Sequence, residues 1–206
     1  PGGVTAAAIP TSQVIGCVVH ASAAAPTPGR IERIKNNQLI IGEPAGGVTP
    51  RAQAVADLLS AAGFGVTVSE RIQRDIWFKL WGNMTMNPVS AITGAPCDRI
   101  LDDELVRGFC SAVMREAQAI GARIGIPIDQ QPEDRHAVTR KLGSFKTSML
   151  QDVEAGRPIE LDALVGAVRE IGQHLIEPTP NMDALMGLTR LMGQMRGLYP
   201  EPTKTP

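Results

Sequence analysis

The most restrictive feature of the sequence is a change of pattern near residue 70. Before this point, short apolar or β-branched runs alternate with Gly and Pro, which is typical of strands joined by turns. Thr49 and Pro50 predict the start of a helix, as an N-cap and a first-turn proline. The runs that predict strands are residues 14–20, 30–35, 39–42 and 64–68. The first 70 residues are therefore predicted to be α/β, with too little sheet for an independent domain.

From residue 70 onward, the strand patterns give way to helical periodicity. Asp102 and Asn181 are the expected N-caps of two helices, and Pro88 is expected to kink or break the first one. The five predicted helices cover residues 72–91, 102–121, 133–154, 159–174 and 181–196. Short connections between them indicate an all-α bundle. The predicted organisation is an α/β segment over residues 1–70, an all-α domain over 71–198 and a disordered tail over 199–206.

The composition excludes several classes of protein. The net charge is −1 and aromatic residues make up only 3%, which argues against a nucleic-acid-binding surface. No apolar run approaches the ~20 residues that a membrane-spanning helix needs. The three cysteines and three histidines are widely scattered, unlike those of a disulfide framework or a zinc site. We therefore expect a cytoplasmic protein with reduced thiols, no bound metal, no membrane segment and no nucleic-acid partner.

A polar stripe on the first predicted helix is the strongest sign of chemistry. Lys79, Asn83 and Asn87 are four residues apart, so on a helix they share one face. One interpretation is a solvated helix face with an exposed lysine. The other is a site in which a desolvated lysine donates a proton and the two amides bind a small, oxygen-rich ligand. The spacing alone leaves both interpretations open.

A second group of polar residues lies further along the chain. Ser148 is predicted near the middle of a helix, and Glu160 at the start of the next one. Glu160 could simply stabilise the positive end of the helix dipole. Ser148 has no Gly-x-Ser-x-Gly motif around it, so a hydrolase nucleophile is not expected, but a hydrogen bond to a ligand is. The Met- and Leu-rich face of the last helix is expected to fill the core, with Met182, Leu185, Met186, Leu188, Leu191, Met192 and Met195.

In combination, these motifs resemble the C-terminal signature of the ketopantoate reductases (2-dehydropantoate 2-reductases). The matching residues are Trp77, Lys79, Leu80, Asn83, Asn87 and Pro88, then 148–152, then Glu160 and Asp162. Residues 15–19, 28–29 and 41–44 resemble later strands of that family's Rossmann domain, so the resemblance covers residues 1 to about 196. It implies the second half of a Rossmann-type nucleotide-binding domain, followed by an all-α domain of the 6-phosphogluconate-dehydrogenase C-terminal type.

The resemblance also implies a role for each residue of the motif. The lysine matching Lys79 is the family's general acid, which protonates the ketone oxygen as NADPH delivers a hydride. The asparagines matching Asn83 and Asn87 lie at the substrate site, and the serine matching Ser148 contacts the substrate carboxylate. The glutamate matching Glu160 helps to position the cofactor. The expected cofactor is NADPH, and the expected substrate is a small 2-keto acid.

Two features depart from the family pattern. Cys97 stands where the family often has an asparagine that contacts the substrate, which bears on the identity of the substrate. The sequence contains no Gly-x-Gly-x-x-Gly motif, and it begins with Pro1-Gly2-Gly3 rather than Met. We therefore expect the true start of the protein to lie upstream, and the chain alone to be inactive.

Three functions follow as expectations. The first is NADPH-dependent reduction of ketopantoate to pantoate, on the route to pantothenate and coenzyme A. The second is reduction of a different branched 2-keto acid. The third is a non-catalytic helical dimerisation module, in which the stripe of Lys79, Asn83 and Asn87 would be exposed or would face a partner. The apolar last helix leaves a homodimer open in each case.

Overall fold

The computed structural model describes residues 7–201. The chain forms two compact units, Pro1–Lys79 and Leu80–Pro206. The division falls within a helix, Ile72–Thr93, rather than at residue 70, where the change of sequence pattern suggested it.

The first unit is built on a three-stranded sheet. Its elements are a short 3₁₀ helix (Thr11–Gln13), β1 (Gly16–Thr27), β2 (Arg30–Gly42), α1 (Pro50–Ala61) and β3 (Gly65–Val68). Strand β2 lies in the centre, antiparallel to β1 and parallel to β3. Leu39 and Ile41 of β2 form the core of the unit with Ala56 of α1. The predicted helix start at Thr49 is confirmed, because its side chain accepts a hydrogen bond from Ala52 N.

The hairpin of β1 and β2 is longer than predicted. Two separate strands were expected at 30–35 and 39–42, but β2 is continuous from Arg30 to Gly42. Gly29 has a φ of +81°, which closes a tight turn and lets β1 and β2 pair along most of their length. Register shifts beside Ser22 and a left-handed Asn36 absorb the irregular middle of the hairpin, where the apolar pattern is interrupted.

The second unit is helical throughout the part that the structure describes, residues 80–201. Its helices are α2 (Ile72–Thr93, shared with the first unit), α3 (Cys97–Asp102), α4 (Glu104–Arg123), α5 (Pro132–Arg140), α6 (Ser148–Glu154), α7 (Ala167–Leu175) and α8 (Pro180–Met195). A π-helical turn, Asp162–Gly166, leads into α7. No helix within residues 7–201 has the length and apolarity that a membrane crossing would require.

One break expected as an alternative to a kink is absent, and one predicted helix is in fact two. Helix α2 continues through Pro88 without a break. The single helix predicted over 133–154 is instead α5 and α6, because the chain turns at Gly143, with a φ of +75°, and restarts at Thr147. The Thr147 side chain accepts a hydrogen bond from Leu150 N, so Ser148 is the first residue of α6 and not the middle of a helix.

The predicted helix caps are also displaced. Asp103, not Asp102, accepts a hydrogen bond from Val106 N at the start of α4. Asn181 lies inside the first turn of α8 and donates through its backbone N and side-chain Nδ2 to Glu116 Oε1, at 2.9 and 2.7 Å. Glu116 Oε2 accepts from Met182 N at 2.8 Å. The start of α8 is therefore capped by a carboxylate from α4, since the free N–H groups of a first turn need an acceptor.

The last helix fills the core with only part of its apolar face. Met182 and Leu185 are buried, as predicted. Leu188, Leu191 and Met195 are 60%, 57% and 77% exposed, so the prediction that they fill the core is wrong. Helix α8 thus has a buried apolar face and a second apolar stripe that faces solvent.

Candidate active site

Helix α2 carries the predicted proton donor and both predicted amides. Residues four apart on a helix share a face, and α2 is unbroken from Lys79 through Asn83 to Asn87. Lys79 and Asn83 are half-buried, and Asn87 is buried. These three residues therefore do not form a freely solvated stripe. The hypothesis of an interaction module, which also allowed the stripe to face a partner, stays a prediction.

Lys79 lies in a partly desolvated environment within the first unit. Its Nζ donates a hydrogen bond to the carbonyl oxygen of Val19 in β1, at 2.7 Å. Burial lowers the pKa of Lys79 below its ordinary value, while the nearby Cys17 acts in the opposite direction. Burial likewise raises the pKa of the Cys17 thiol, an effect that the charge of Lys79 opposes. The result is an ammonium that a strand holds in place and that gives up its proton more readily than a surface lysine.

The second unit brings two of the predicted substrate residues together. Asn87 Nδ2 donates to Ser148 Oγ at 3.3 Å, across 61 residues of sequence. Helix α2 supplies the amide, and the first turn of α6 supplies the hydroxyl, which is on the surface. Because Ser148 Oγ accepts from Asn87, its own proton remains available for an acceptor outside the protein.

Glu160 is exposed and lies just before the helical turn that begins at Leu161. Its neighbours Ile159 and Leu161 are buried, so the backbone of Glu160 is anchored on both sides. Within residues 7–201, the structure records no hydrogen bond from Glu160 to Asn83, Asn87 or Ser148. Its predicted role toward a cofactor stays a prediction.

Sequence reasoning missed the residues that hold the Glu160 segment. Ile159 N donates to Leu198 O at 3.0 Å, and Tyr199 Oη donates to Asp162 Oδ1 at 2.7 Å. This hydrogen bond to Asp162 raises the pKa of Tyr199. Tyr199 had been assigned to the disordered tail, of which residues 202–206 lie outside the described part. The available signal was Gly197 followed by an apolar Leu198, a frequent way to end a helix.

Cys97 is fully buried, with 0% exposure, at the start of α3. Burial raises the pKa of its thiol to about 11. The thiol therefore has no exposed surface, and the effect of this departure from the family pattern on the substrate stays a prediction.

An apolar groove of about 290 Å³ lies elsewhere on the second unit. Its lining residues are Val89, Ile92, Thr93, Leu105, Val106, Phe109, Leu185 and Leu188. A helix turns by about 100° per residue, so Ile92 lies roughly 180° around α2 from Asn83. The groove is therefore on the other side of α2 from the predicted substrate residues. Within the described range, 7–201, no group of three His, Cys, Asp or Glu side chains could hold a metal ion.

Known proteins share this combination of fold and residues. Residues 71–193 match the family described as ketopantoate reductase PanE/ApbA C terminal. A 2-dehydropantoate 2-reductase from Mesorhizobium japonicum is 40% identical over 199 residues, 97% of this chain and 61% of the relative. The structure of a candidate ketopantoate reductase from Ralstonia solanacearum MolK2 is 62% identical, with a TM-score of 0.90 over 94% of this chain and 59% of that one.

A more distant structure shows how far the fold extends. D-mandelate dehydrogenase, in complex with NADH and anilino(oxo)acetate, has a TM-score of 0.82 at 21% identity, over 92% of this chain and 63% of that one.

The chain spans 61% of the length of the Mesorhizobium japonicum relative. The family match covers more than half of the chain and includes every residue of the predicted site. The chain therefore belongs to the ketopantoate reductase PanE/ApbA family, of which it carries the C-terminal domain.

Proposed function

We propose that the protein reduces ketopantoate to pantoate with NADPH, on the route to pantothenate and coenzyme A. The observation that carries the proposal is the half-buried Lys79, whose ammonium donates to the Val19 carbonyl of β1. Lys79 lies on the same helix as Asn83 and Asn87. Relatives named 2-dehydropantoate 2-reductase support the same reaction. The chain spans 61% of the length of such a relative, so we propose this activity for the complete protein.

Lys79 has the properties of the proton donor in this reaction. The reduced nicotinamide, when bound, supplies the hydride to the keto carbon. Negative charge then develops on the carbonyl oxygen, and the Lys79 ammonium stabilises it and transfers a proton, which yields the alcohol. The Val19 carbonyl restricts the ammonium to one position, so less reorganisation is needed when the proton moves. The lowered pKa of Lys79 favours the transfer, and solvent later restores the proton.

Asn83, Asn87 and Ser148 would hold the substrate. The hydroxyl of Ser148 accepts from Asn87, so it can donate its own proton to a carboxylate oxygen of the substrate. The half-buried Asn83 amide offers a donor and an acceptor to the polar groups of the substrate, one turn along α2. A hydrogen bond to a charged carboxylate contributes about 1.5–3 kcal/mol, so the Ser148 contact alone would matter for binding.

Glu160 would contact the cofactor. Its carboxylate is exposed and anchored by buried neighbours, so it can accept hydrogen bonds from hydroxyl groups of a nucleotide. The related fold of D-mandelate dehydrogenase is known with NADH, which supports a pyridine nucleotide. We propose NADPH because the family resemblance implies it. The three free thiols support a reducing, cytoplasmic location.

The test is NADPH oxidation that depends on ketopantoate, with protein from the complete reading frame. Lys79→Ala removes the proton donor and is expected to lower kcat/KM by about 10²–10⁴-fold. Lys35→Ala is the matched control, because Lys35 is an exposed lysine of the same unit. Unchanged turnover in Lys79→Ala, with wild-type circular dichroism, would contradict the assignment of the proton donor.

The identity of the keto acid is tested separately. Ketopantoate and other branched 2-keto acids should be compared as competing substrates of the wild-type protein. We expect ketopantoate to have the highest kcat/KM, because the relatives are named for that substrate. Robust NADPH oxidation with another keto acid and none with ketopantoate would favour the alternative reductase.

We also propose that the protein forms a homodimer through the second unit. The apolar groove is lined in part by Leu188 of α8, and Leu191 and Met195 of the same helix are also exposed. An exposed apolar surface of this kind commonly marks a contact with another chain. Two copies related by a twofold axis can each place the stripe of α8 against the other's groove.

A further inference from the structure

We propose that Leu198 and Tyr199 form a clasp that positions Glu160 for the cofactor, which makes Tyr199 a positioning residue of the reductase. This inference rests on the proposed function, in which Glu160 contacts the nucleotide.

The clasp contacts the chain on both sides of Glu160. On one side, Ile159 N donates to Leu198 O at 3.0 Å. On the other, Tyr199 Oη donates to Asp162 Oδ1 at 2.7 Å. These two bonds fix the backbone immediately before Glu160 and a side chain two residues after it. Glu160 itself remains exposed, so its backbone is held on both sides while its carboxylate stays accessible to a ligand.

The clasp is in turn fixed to the end of α8. Leu198 N donates to Gly193 O at 2.8 Å, and Gln194 Nε2 donates to Pro200 O at 3.1 Å. At Gly193 the packing leaves no room for a side chain: an added Cβ would lie 2.8 Å from Tyr199 Cβ and 3.0 Å from Ile159 Cδ1. The end of α8, the clasp and the Glu160 segment therefore meet in one tight contact.

The helix that follows Glu160 needs such support. Its first turn, Asp162–Gly166, is π-helical, which is a wider and less favourable geometry than an α-turn and often occurs at functional sites. The Asp162 carboxylate, which begins this turn, is directed to Tyr199. Loss of the tyrosine hydroxyl would remove the side-chain bond that holds the start of the turn, although Leu161 and Val165 stay packed in the core, and Glu160 would sample more orientations.

The expected effect is on cofactor binding rather than on folding. Asp162 is exposed and Tyr199 is half-exposed, so water can replace the lost hydrogen bond at little cost in stability. A more mobile Glu160 must be ordered again when the nucleotide binds, which weakens binding. Tyr199→Phe should therefore raise KM and Kd for NADPH about 3- to 10-fold and leave kcat within about twofold, since one hydrogen bond contributes roughly 0.5–1.5 kcal/mol.

The experiment measures Kd for NADPH by fluorescence titration, together with kcat and KM, in protein from the complete reading frame. Asp162→Ala, which removes the acceptor, should reproduce the effect of Tyr199→Phe, and the double variant should be no weaker than either single variant. In a Glu160→Ala background, Tyr199→Phe should have no further effect, because the clasp acts through Glu160. Thr139→Val is the control, since it removes a hydroxyl bonded to Arg135 O on α5, away from the clasp.

The outcomes separate the two proposals. An unchanged Kd for NADPH in Tyr199→Phe, or an effect that adds fully to that of Glu160→Ala, would overturn the clasp. Wild-type protein that binds NADPH but reduces no ketopantoate would overturn the proposed substrate and leave the clasp testable through Kd. Wild-type protein that binds no NADPH would overturn both.

Discussion

His136 shows how one residue can tie the stability of the second unit to pH. It is buried, and its Nε2 lies 3.0 Å from Ser111 Oγ on α4. Burial lowers the pKa of His136 below its ordinary value of 6.5, and Arg107, Arg140 and Arg115 act in the same direction, while Glu133 opposes them. The folded state therefore holds this histidine neutral at a pH where the unfolded chain begins to bind a proton.

The stability of the protein should consequently fall in mild acid. Since the folded pKa is the lower one, the contribution is fully present above the unfolded pKa of 6.5. It is lost progressively as the pH falls from there toward the folded pKa. His136→Gln, which keeps a polar group near Ser111, should lessen the pH dependence of the urea midpoint between about pH 8 and about pH 5. An identical slope in both proteins would show that other groups dominate.

Helix ends in the second unit depend on distant side chains as well as on local caps. Thr147 and Asp103 cap α6 and α4 from the adjacent position, in the usual way. Helix α8 has no side-chain cap at Thr179 and relies on the carboxylate of Glu116 from α4. This arrangement makes the start of the 16-residue helix α8 depend on a single acidic side chain, so it is sensitive to one substitution.

Glu116→Gln should destabilise the protein by about 1–3 kcal/mol. The variant weakens acceptance from Asn181 N and Met182 N, and hydrogen bonds to a charged group are worth more than those to a neutral amide. Thermal unfolding of the wild type and the variant measures the difference. Glu170→Gln, an exposed position on α7, is the matched control and should change little. Equal melting temperatures for all three proteins would refute this role of Glu116.

At the scale of the whole molecule, α8 presents an exposed apolar stripe that the rest of the described chain, residues 7–201, leaves open to solvent. Leu188, Leu191 and Met195 are spaced by three and four residues, which is the spacing of a helix-packing seam. Leu105 of α4, at the edge of the same groove, is 85% exposed. A second copy of the chain would remove these side chains from water.

The double variant Leu188→Glu with Leu191→Glu should therefore convert the proposed dimer to a monomer. Buried carboxylates at the seam would have to be desolvated, which opposes association. Light scattering after size-exclusion chromatography measures the mass of each protein. Ile31→Glu changes an exposed apolar residue of β2 in the first unit and should leave the dimer intact. A wild-type protein that is monomeric at all concentrations tested would exclude the proposed interface.

The sequence by itself determined the features that depend on neighbouring residues. Thr49 and Pro50 start α1 because an N-cap acts within one turn, and Lys79, Asn83 and Asn87 share a face because a helix repeats every 3.6 residues. Family membership followed from the same short motifs. These features could be predicted because their causes lie within a few positions of one another.

The tertiary structure alone decided the features that join residues far apart. The bond from Asn87 to Ser148, the capping of α8 by Glu116 and the contact between Tyr199 and Asp162 each link separate helices or segments. The burial of Cys97 and the exposure of Leu188 likewise depend on which elements pack together. No periodicity within one helix encodes which of its two apolar faces will meet the core, because that choice depends on the free energy of packing against the rest of the chain.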